Sequence, residues 1–219
     1  MADPIAALAT APGEGGIAIV RLSGDGVRHM TSLRFSPAGQ TPAGEIPPRR
    51  MAYGAFLDKE GTVLDRILWV WFAAPRSYTG EEVVELHCHG GYLGAQRLLL
   101  EVLDLGCRPA APGEFTQRAF LNGRVDLTQA EAIMDIIRAK TDKAMNIAVK
   151  QLDGSLKDLI DNTRQEILNT LAQVEVNIDY PEYDDVEEMT TALLREKTQE
   201  FQNLLENLLR TARRGKILR

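Results

Sequence analysis

Two hydrophobic rhythms divide this chain. Over residues 1 to 106 the apolar residues come in short runs, cut by glycine and by seven of the ten prolines, Pro4 to Pro75. Beyond Asp126 they recur every three or four residues, and Pro181 is the one proline. Alternating or short continuous runs read as strands, and a period near 3.6 reads as helix. IAALAT (5–10) and IAIVRLS (17–23) therefore read as strands around the loop APGEGG. MAYGAFLD and RILWVWFA read as two more, with a turn at KEGT. The last is apolar on both faces from Ile67 to Phe72, which suits an interior strand covered on both sides. VVELHCH (83–89) follows the turn PRSYTGEE. GYLGAQRLLLEVLDLG places Leu93, Gln96, Leu100 and Leu103 at helical spacing, and Gly106 is a suitable stop.

In the second half Asp126 suits an N-cap, with Gln129 in the capping-box position. One helix is predicted from there through Ala130, Ile133, Ile137 and Ala144 towards Lys150. Gly154 and Ser155 predict a break, after which Leu156, Ile160, Ile167, Leu171, Val174 and Ile178 mark a second helix. In DYPEYDDVEE, Pro181 should end that helix and the acidic residues suit the start of another. This last helix is predicted over about Glu187 to Ala212, with Leu193, Leu204, Leu205 and Leu208 inward. Three long helices form an antiparallel module. If further helices normally pack on Leu193, Leu204 and Leu208, the module should expose an apolar stripe. The basic end RRGKILR carries no stop signal and reads as a point within a longer chain.

Composition narrows the class. A chain of 219 residues, 44% hydrophobic and 26% charged, can bury a real core as one large domain or two modest ones. The net charge of −6 argues against general nucleic-acid binding while leaving room for a local basic patch. Cys88 and Cys107 alone make no disulfide framework, so a reducing compartment is expected. MADPIAALATAP has no basic segment ahead of an apolar run and does not read as a signal peptide. The longest apolar run, ILWVWFAA, is far short of the roughly 20 residues of a membrane helix. A soluble, cytoplasmic protein without membrane contact is expected.

Chemistry concentrates in a few places. APGEGG precedes a strand, so it is no dinucleotide fingerprint, and the chain has no G-x-x-x-x-G-K-[ST], G-x-S-x-G or H-E-x-x-H. The loop reads either as a tight turn between strands or as a ligand-lining loop. Arg21 follows Ile17 and Ile19 on one face of an apolar strand, where an unpaired guanidinium is costly. Glu85 poses the same problem with opposite sign, so the two could pair with each other or hold a ligand. VVELHCHGG places Glu85, His87 and His89 on one strand face, a set that could ligate a metal. APGEFTQRAFLNGRVDLTQAEAI (111–133) reads as a short helix stopped at Asn122-Gly123, with Arg118 and Arg124 carried to the junction of the halves, where ligand pockets are usual.

PGEGGIAIVRLSG, SYTGEEVVELHCHGG and PGEFTQRAFLNGRVDLTQAEAIMDII, in this order and spacing, closely resemble the MnmE (TrmE) family of tRNA-modifying GTPases. The resemblance runs from Ile5 to Arg219 and is weakest over residues 24–64. It implies an α+β fold. Residues 1–122 would be an α/β tetrahydrofolate-binding and dimerisation domain, similar to the tetrahydrofolate domain of the glycine-cleavage aminomethyltransferase. Residues 123–219 would be the first part of an all-α antiparallel helical domain. The family's G domain, with its GTP, magnesium and potassium, follows the equivalent of ILR and is absent here. The family works as a homodimer with the flavoprotein MnmG on C5 of the wobble uridine of certain tRNAs, adding an aminomethyl or carboxymethylaminomethyl group. Its one-carbon donor would be 5-formyl- or 5,10-methylene-tetrahydrofolate. Carried over, Arg21, Glu85 and Arg124 match the folate-contacting positions, and no residue of this chain matches a catalytic one. The family tolerates other residues, glutamine included, where His87 stands, which weighs against a metal. The alternative is a stand-alone metal-dependent enzyme built on Glu85, His87 and His89.

Overall fold

The computed structural model describes residues 3–179 and 190–217, which fall into two compact units, Met1–Asp126 and Leu127–Arg219. The first unit is a mixed sheet with helices and the second is wholly helical, an α+β composition.

The sheet of the first unit has seven strands: β1 (Ile5–Leu8), β2 (Ile17–Ser23), β3 (Phe35–Pro37), β4 (Ala52–Leu57), β5 (Val63–Phe72), β6 (Val83–His89) and β7 (Arg108–Pro109). Their spatial order is β3-β4-β5-β6-β2-β1-β7, antiparallel throughout except for the short β1–β7 pair. The five strands read from the sequence are all present. Helices α1 (Val27–Ser32), α2 (Tyr92–Asp104) and α3 (Glu114–Leu121) belong to the same unit. α1, β3 and β7 escaped the sequence reading because each is too short to show a period.

Period two sorts the strand residues between faces. On one face Ala52, Trp69, Leu86, Val20 and Leu8 form a cross-strand row, followed by Trp71, Val84, Leu22 and Ala6. These side chains pack with Val27, Ala95, Leu98 and Val102 into the hydrophobic core. Phe35 stacks on Trp69, with ring centroids 5.7 Å apart. On the other face Tyr53, Leu68, His87 and Ile19 make one row, and Val70, Glu85, Arg21 and Ala7 make the next. Here Ile17, Tyr53 and Leu68 are exposed. β5 is an interior strand, and its burial on both faces holds for Trp69–Trp71 but not for Leu68.

The loop APGEGG joins β1 to β2. Gly15 donates its amide to the Gly90 carbonyl at 3.0 Å, and a Cβ on Gly90 would lie 2.3 Å from the Gly15 carbonyl oxygen. Only two glycines permit so close an approach.

The helical unit contains α4 (Leu127–Arg138), α5 (Asp142–Leu152), α6 (Ser155–Asp179) and α7 (Thr191–Ile217). The single helix expected from Asp126 to Lys150 is two, because Thr141 leaves the helical region and its hydroxyl caps the amide of Ala144. A threonine followed by an acidic residue starts a helix better than it continues one. Gln129 then donates to the carbonyl of Leu152, and Gln151 to that of Thr128, clasping α4 to α5 in reverse direction. Gly154, at φ 93°, supplies the expected break. The expected ending at Pro181 and the acidic helix start lie outside the described residues. Leu193, Leu204 and Leu208 are half-buried, while Ile167, Leu171, Leu205 and Leu209 line an open groove between α6 and α7. The exposed apolar residues are thus not those expected: Leu193, Leu204 and Leu208 are only partly open, whereas Leu205, expected inward, is exposed with Leu209. No helix among the described residues is long and apolar enough to cross a membrane.

Candidate functional site

Arg21 and Glu85 are register partners on β2 and β6. The Arg21 Nε donates to Glu85 Oε1 at 2.9 Å, and Nη2 lies 2.8 Å from the same oxygen. Both side chains keep some exposure, 28% and 16%. The second carboxylate oxygen of Glu85 meets His87 Nε2 at 3.1 Å. His87 sits two residues on along the same face, so strand periodicity joins it to Glu85, and the β2–β6 register adds Arg21.

Aromatic rings frame the guanidinium. Arg21 Cζ stands 5.1 Å from the centroid of Tyr78 and 5.9 Å from that of Phe115. Tyr78 belongs to the turn between β5 and β6, and Phe115 to α3 (Glu114–Leu121). The Tyr78 hydroxyl and the Thr116 hydroxyl share a hydrogen bond of 2.9 Å. Neither aromatic carried a sequence signal, since a lone tyrosine in a turn and a phenylalanine in a short helix have no period.

The third candidate, Arg124, follows the stop of α3, where Gly123 takes the left-handed conformation at φ 68°. Its Nε donates to the Ser77 carbonyl at 3.2 Å, and Asn122 Nδ2 donates to the Thr79 carbonyl at 2.8 Å. The turn SYTGEE thus lies against FLNGR. Gly80, at φ 81°, is pressed there, since a Cβ would meet Asn122 Cβ at 3.0 Å and Arg124 Cγ at 3.2 Å. Ser77 receives Arg124 and its neighbour Tyr78 receives Arg21, so one turn carries both arginine contacts.

A charged cluster fixes α3 in this position. Glu114 accepts two hydrogen bonds from Arg108, at 2.8 and 2.6 Å, one from the Ala111 amide and two from Arg118, at 2.9 and 3.3 Å. The Arg108 bonds, above all, hold the Glu114 carboxyl down at about 2. Asp3 is likewise held below the usual carboxylate range, chiefly by its hydrogen bond to Arg108. Arg118 is buried and also bridges to Glu81 at 3.0 Å and Asp3 at 2.8 Å. Ser23 donates to Glu81 and pairs with Thr79 at 2.7 Å. Arg118, read from the sequence as a junction residue for a ligand, is instead a buried strut whose charge is spent on three carboxylates.

The two histidines part company. His89 turns to Asp65 of β5, with Nδ1 2.7 Å from Oδ1 and its backbone amide donating to Oδ2 at 2.9 Å. His87 serves Glu85. No group of three or more His, Cys, Asp or Glu side chains among the described residues is placed to share a metal ion. Cys88, on the opposite face, is buried.

Comparison with known proteins agrees with this architecture. Residues 4–124 match the family described as "GTP-binding protein TrmE N-terminus", and residues 127–219 match "MnmE helical domain". Proteins named "tRNA modification GTPase MnmE" from Streptococcus pyogenes serotypes M5, M3 and M2 are each 62% identical to it over 218 residues. That alignment takes in 99% of this chain and 47% of each relative, so the chain spans about half their length.

Proposed function

The chain belongs to the MnmE (TrmE) family, and from that premise we propose that residues 1–122 of its sheet unit, together with Arg124, bind a tetrahydrofolate as part of a tRNA-modifying GTPase. The observation that carries this reading is the partly exposed Arg21–Glu85 pair beside the rings of Tyr78 and Phe115. A carboxylate accepts from the N–H groups of a pterin, a guanidinium donates to its carbonyl or to a glutamyl carboxylate, and aromatic faces suit a flat heterocycle. The residues present therefore fit the group. Glu85 and Arg21 would hold the bicyclic head, and Arg124, already docked on the same turn, would hold an acidic or carbonyl group. The 5-formyl or 5,10-methylene form would supply the one-carbon unit for C5 of the wobble uridine.

The remaining functions belong to the whole protein. GTP hydrolysis, with magnesium and potassium, would reside in a G domain beyond Arg219, following a helical domain that begins at residue 123. MnmG would be the partner, tRNA the substrate and the cytoplasm the compartment. A homodimer through the sheet unit is supported by the open face, where Ile17, Tyr53 and Leu68 expose apolar surface. The metal-enzyme alternative on Glu85, His87 and His89 draws no support, because the two imidazoles bond to different carboxylates.

Calorimetric titration with 5-formyltetrahydrofolate tests the reading. Saturable binding by the wild-type chain, weakened at least about tenfold by Arg21→Ala, is expected from the loss of a charge-assisted contact. Absence of binding by a folded wild-type chain would overturn it.

A further inference from the structure

A second set of arginines lies outside the site above. The Arg28 guanidinium stacks over the Trp71 ring, 4.1 Å from its centroid, and donates to the carbonyl of Gly44. Arg49 donates its amide to the Trp71 carbonyl at 2.8 Å, and its Nη2 donates to the carbonyl of Arg76, also at 2.8 Å. Trp71, near the end of β5, thus organises Arg28 on one side and Arg49 on another, and Arg49 reaches the turn that carries Arg76. Arg50 follows directly in the chain. Arg49, Arg50 and Arg76 are exposed and Arg28 is half-buried.

None of these four arginines is ion-paired among the described residues. The contrast with Arg21, Arg108 and Arg118, each spent on carboxylates, is sharp. Of the acids close in sequence or contact, Glu82 accepts from the backbone amide of Arg28, and neither Asp25 nor Glu45 makes an ion pair among the described residues. Carbonyls and an indole orient a guanidinium without cancelling its charge, so the cluster keeps its positive field in a chain of net charge −6. Arg49 also has φ 64°, the one described non-glycine residue in the left-handed region. Such a conformation costs energy and persists only where contacts hold it. Here the Trp71 and Arg76 carbonyls do so.

We propose that Arg28, Arg49, Arg50 and Arg76 form a docking surface for the phosphodiester backbone of RNA. Planar guanidinium forks match phosphate geometry, and four of them with no carboxylate partner suit a polyanion better than one small anion. Contacts of this kind position a nucleic acid without reading its sequence. The choice of RNA among polyanions rests on the tRNA-modification reading above; the arginine geometry stands without it.

Fluorescence anisotropy of the 219-residue chain with a labelled transfer-RNA transcript, titrated in sodium chloride, tests the surface. The wild type should bind with steep salt dependence. R28Q/R49Q/R76Q should weaken binding by about tenfold or more and lower the slope of log K against log salt by roughly two to three. R28K/R49K/R76K should retain most of the binding, and Arg97→Gln, on α2, should change nothing. Because Arg28 packs on Trp71, R49Q/R76Q, which touches only exposed side chains, is measured as well, with melting curves for each variant. Equal RNA binding by the folded glutamine variants and wild type would overturn the proposal. So would salt-insensitive or absent binding by wild type, or preference for poly-glutamate over RNA. Folate titration of the same samples reads the previous proposal separately, and folate binding retained without RNA binding sinks this one alone.

Discussion

Arg21 and Glu85 face one another across the β2–β6 ladder, joined at 2.8 Å, with His87 and the apolar Ile19, Val70 and Ala7 beside them on the same sheet face. A charge pair among apolar neighbours is no gain in itself, since desolvation consumes much of the attraction. It does make each charge dependent on the other, and that dependence can be measured.

Arg21→Ala or Glu85→Ala should each destabilise the chain by about 1–2 kcal/mol, with the double variant costing clearly less than the sum. Urea unfolding of the four proteins gives the coupling directly. Strict additivity would show that the pair contributes nothing to folding.

Stability should fall as the pH is lowered through the acid range. Glu114 sits at about 2 in the fold, below the ordinary value of 4.5. A carboxyl depressed by folding adds stability that is fully present above its unfolded value and lost as pH falls towards its folded value. The loss should therefore run from about pH 5 down to pH 2, with Asp3 shifted in the same direction. Glu114→Gln should lower stability at neutral pH and flatten that acid limb. Urea midpoints between pH 2 and 7 would reveal it.

Gly90→Ala should cost about 1–3 kcal/mol, because its Cβ would press on the backbone of Gly15 and overpacked backbone relaxes poorly. Gly16→Ala, whose Cβ would meet nothing within 4 Å, should be close to neutral. Paired thermal melts decide it, and equal melting temperatures would refute the close approach as a constraint.

Both cysteines should resist alkylation in the native chain. Burial pushes the thiols of Cys88 and Cys107 up to about 11, so almost no thiolate exists at neutral pH. Iodoacetamide at pH 7.5 should label neither until denaturant is added. Rapid native labelling of either would contradict its buried placement.

Much of this was legible in the chain. The runs around Val20, Trp69 and Leu86 announced strands because the sheet buries alternate residues, and Gly154 announced a break because only glycine rests easily at its φ. Arg21 and Glu85 stood out as charges on apolar strands, and the pairing raised for them is present. Tyr78 and Phe115 did not stand out, because their contact with Arg21 joins three segments far apart in sequence. The metal-like spacing of His87 and His89 misled for a related reason: period two puts them on one face, but Asp65 on the neighbouring strand claims His89.

By itself, then, the sequence determined what local periodicity and local chemistry determine: a strand-rich first unit, a helical second, and two opposite charges that had to be satisfied. Their partners were a matter of tertiary structure, because register and packing choose among groups no local rule connects. Register set Glu85 opposite Arg21, the Asp3–Glu114–Arg118 cluster drew Phe115 beside it, and Trp71 gathered Arg28 and Arg49 into a positive rim. Those choices depend on contacts between segments far apart in the chain, a condition that no single segment can express.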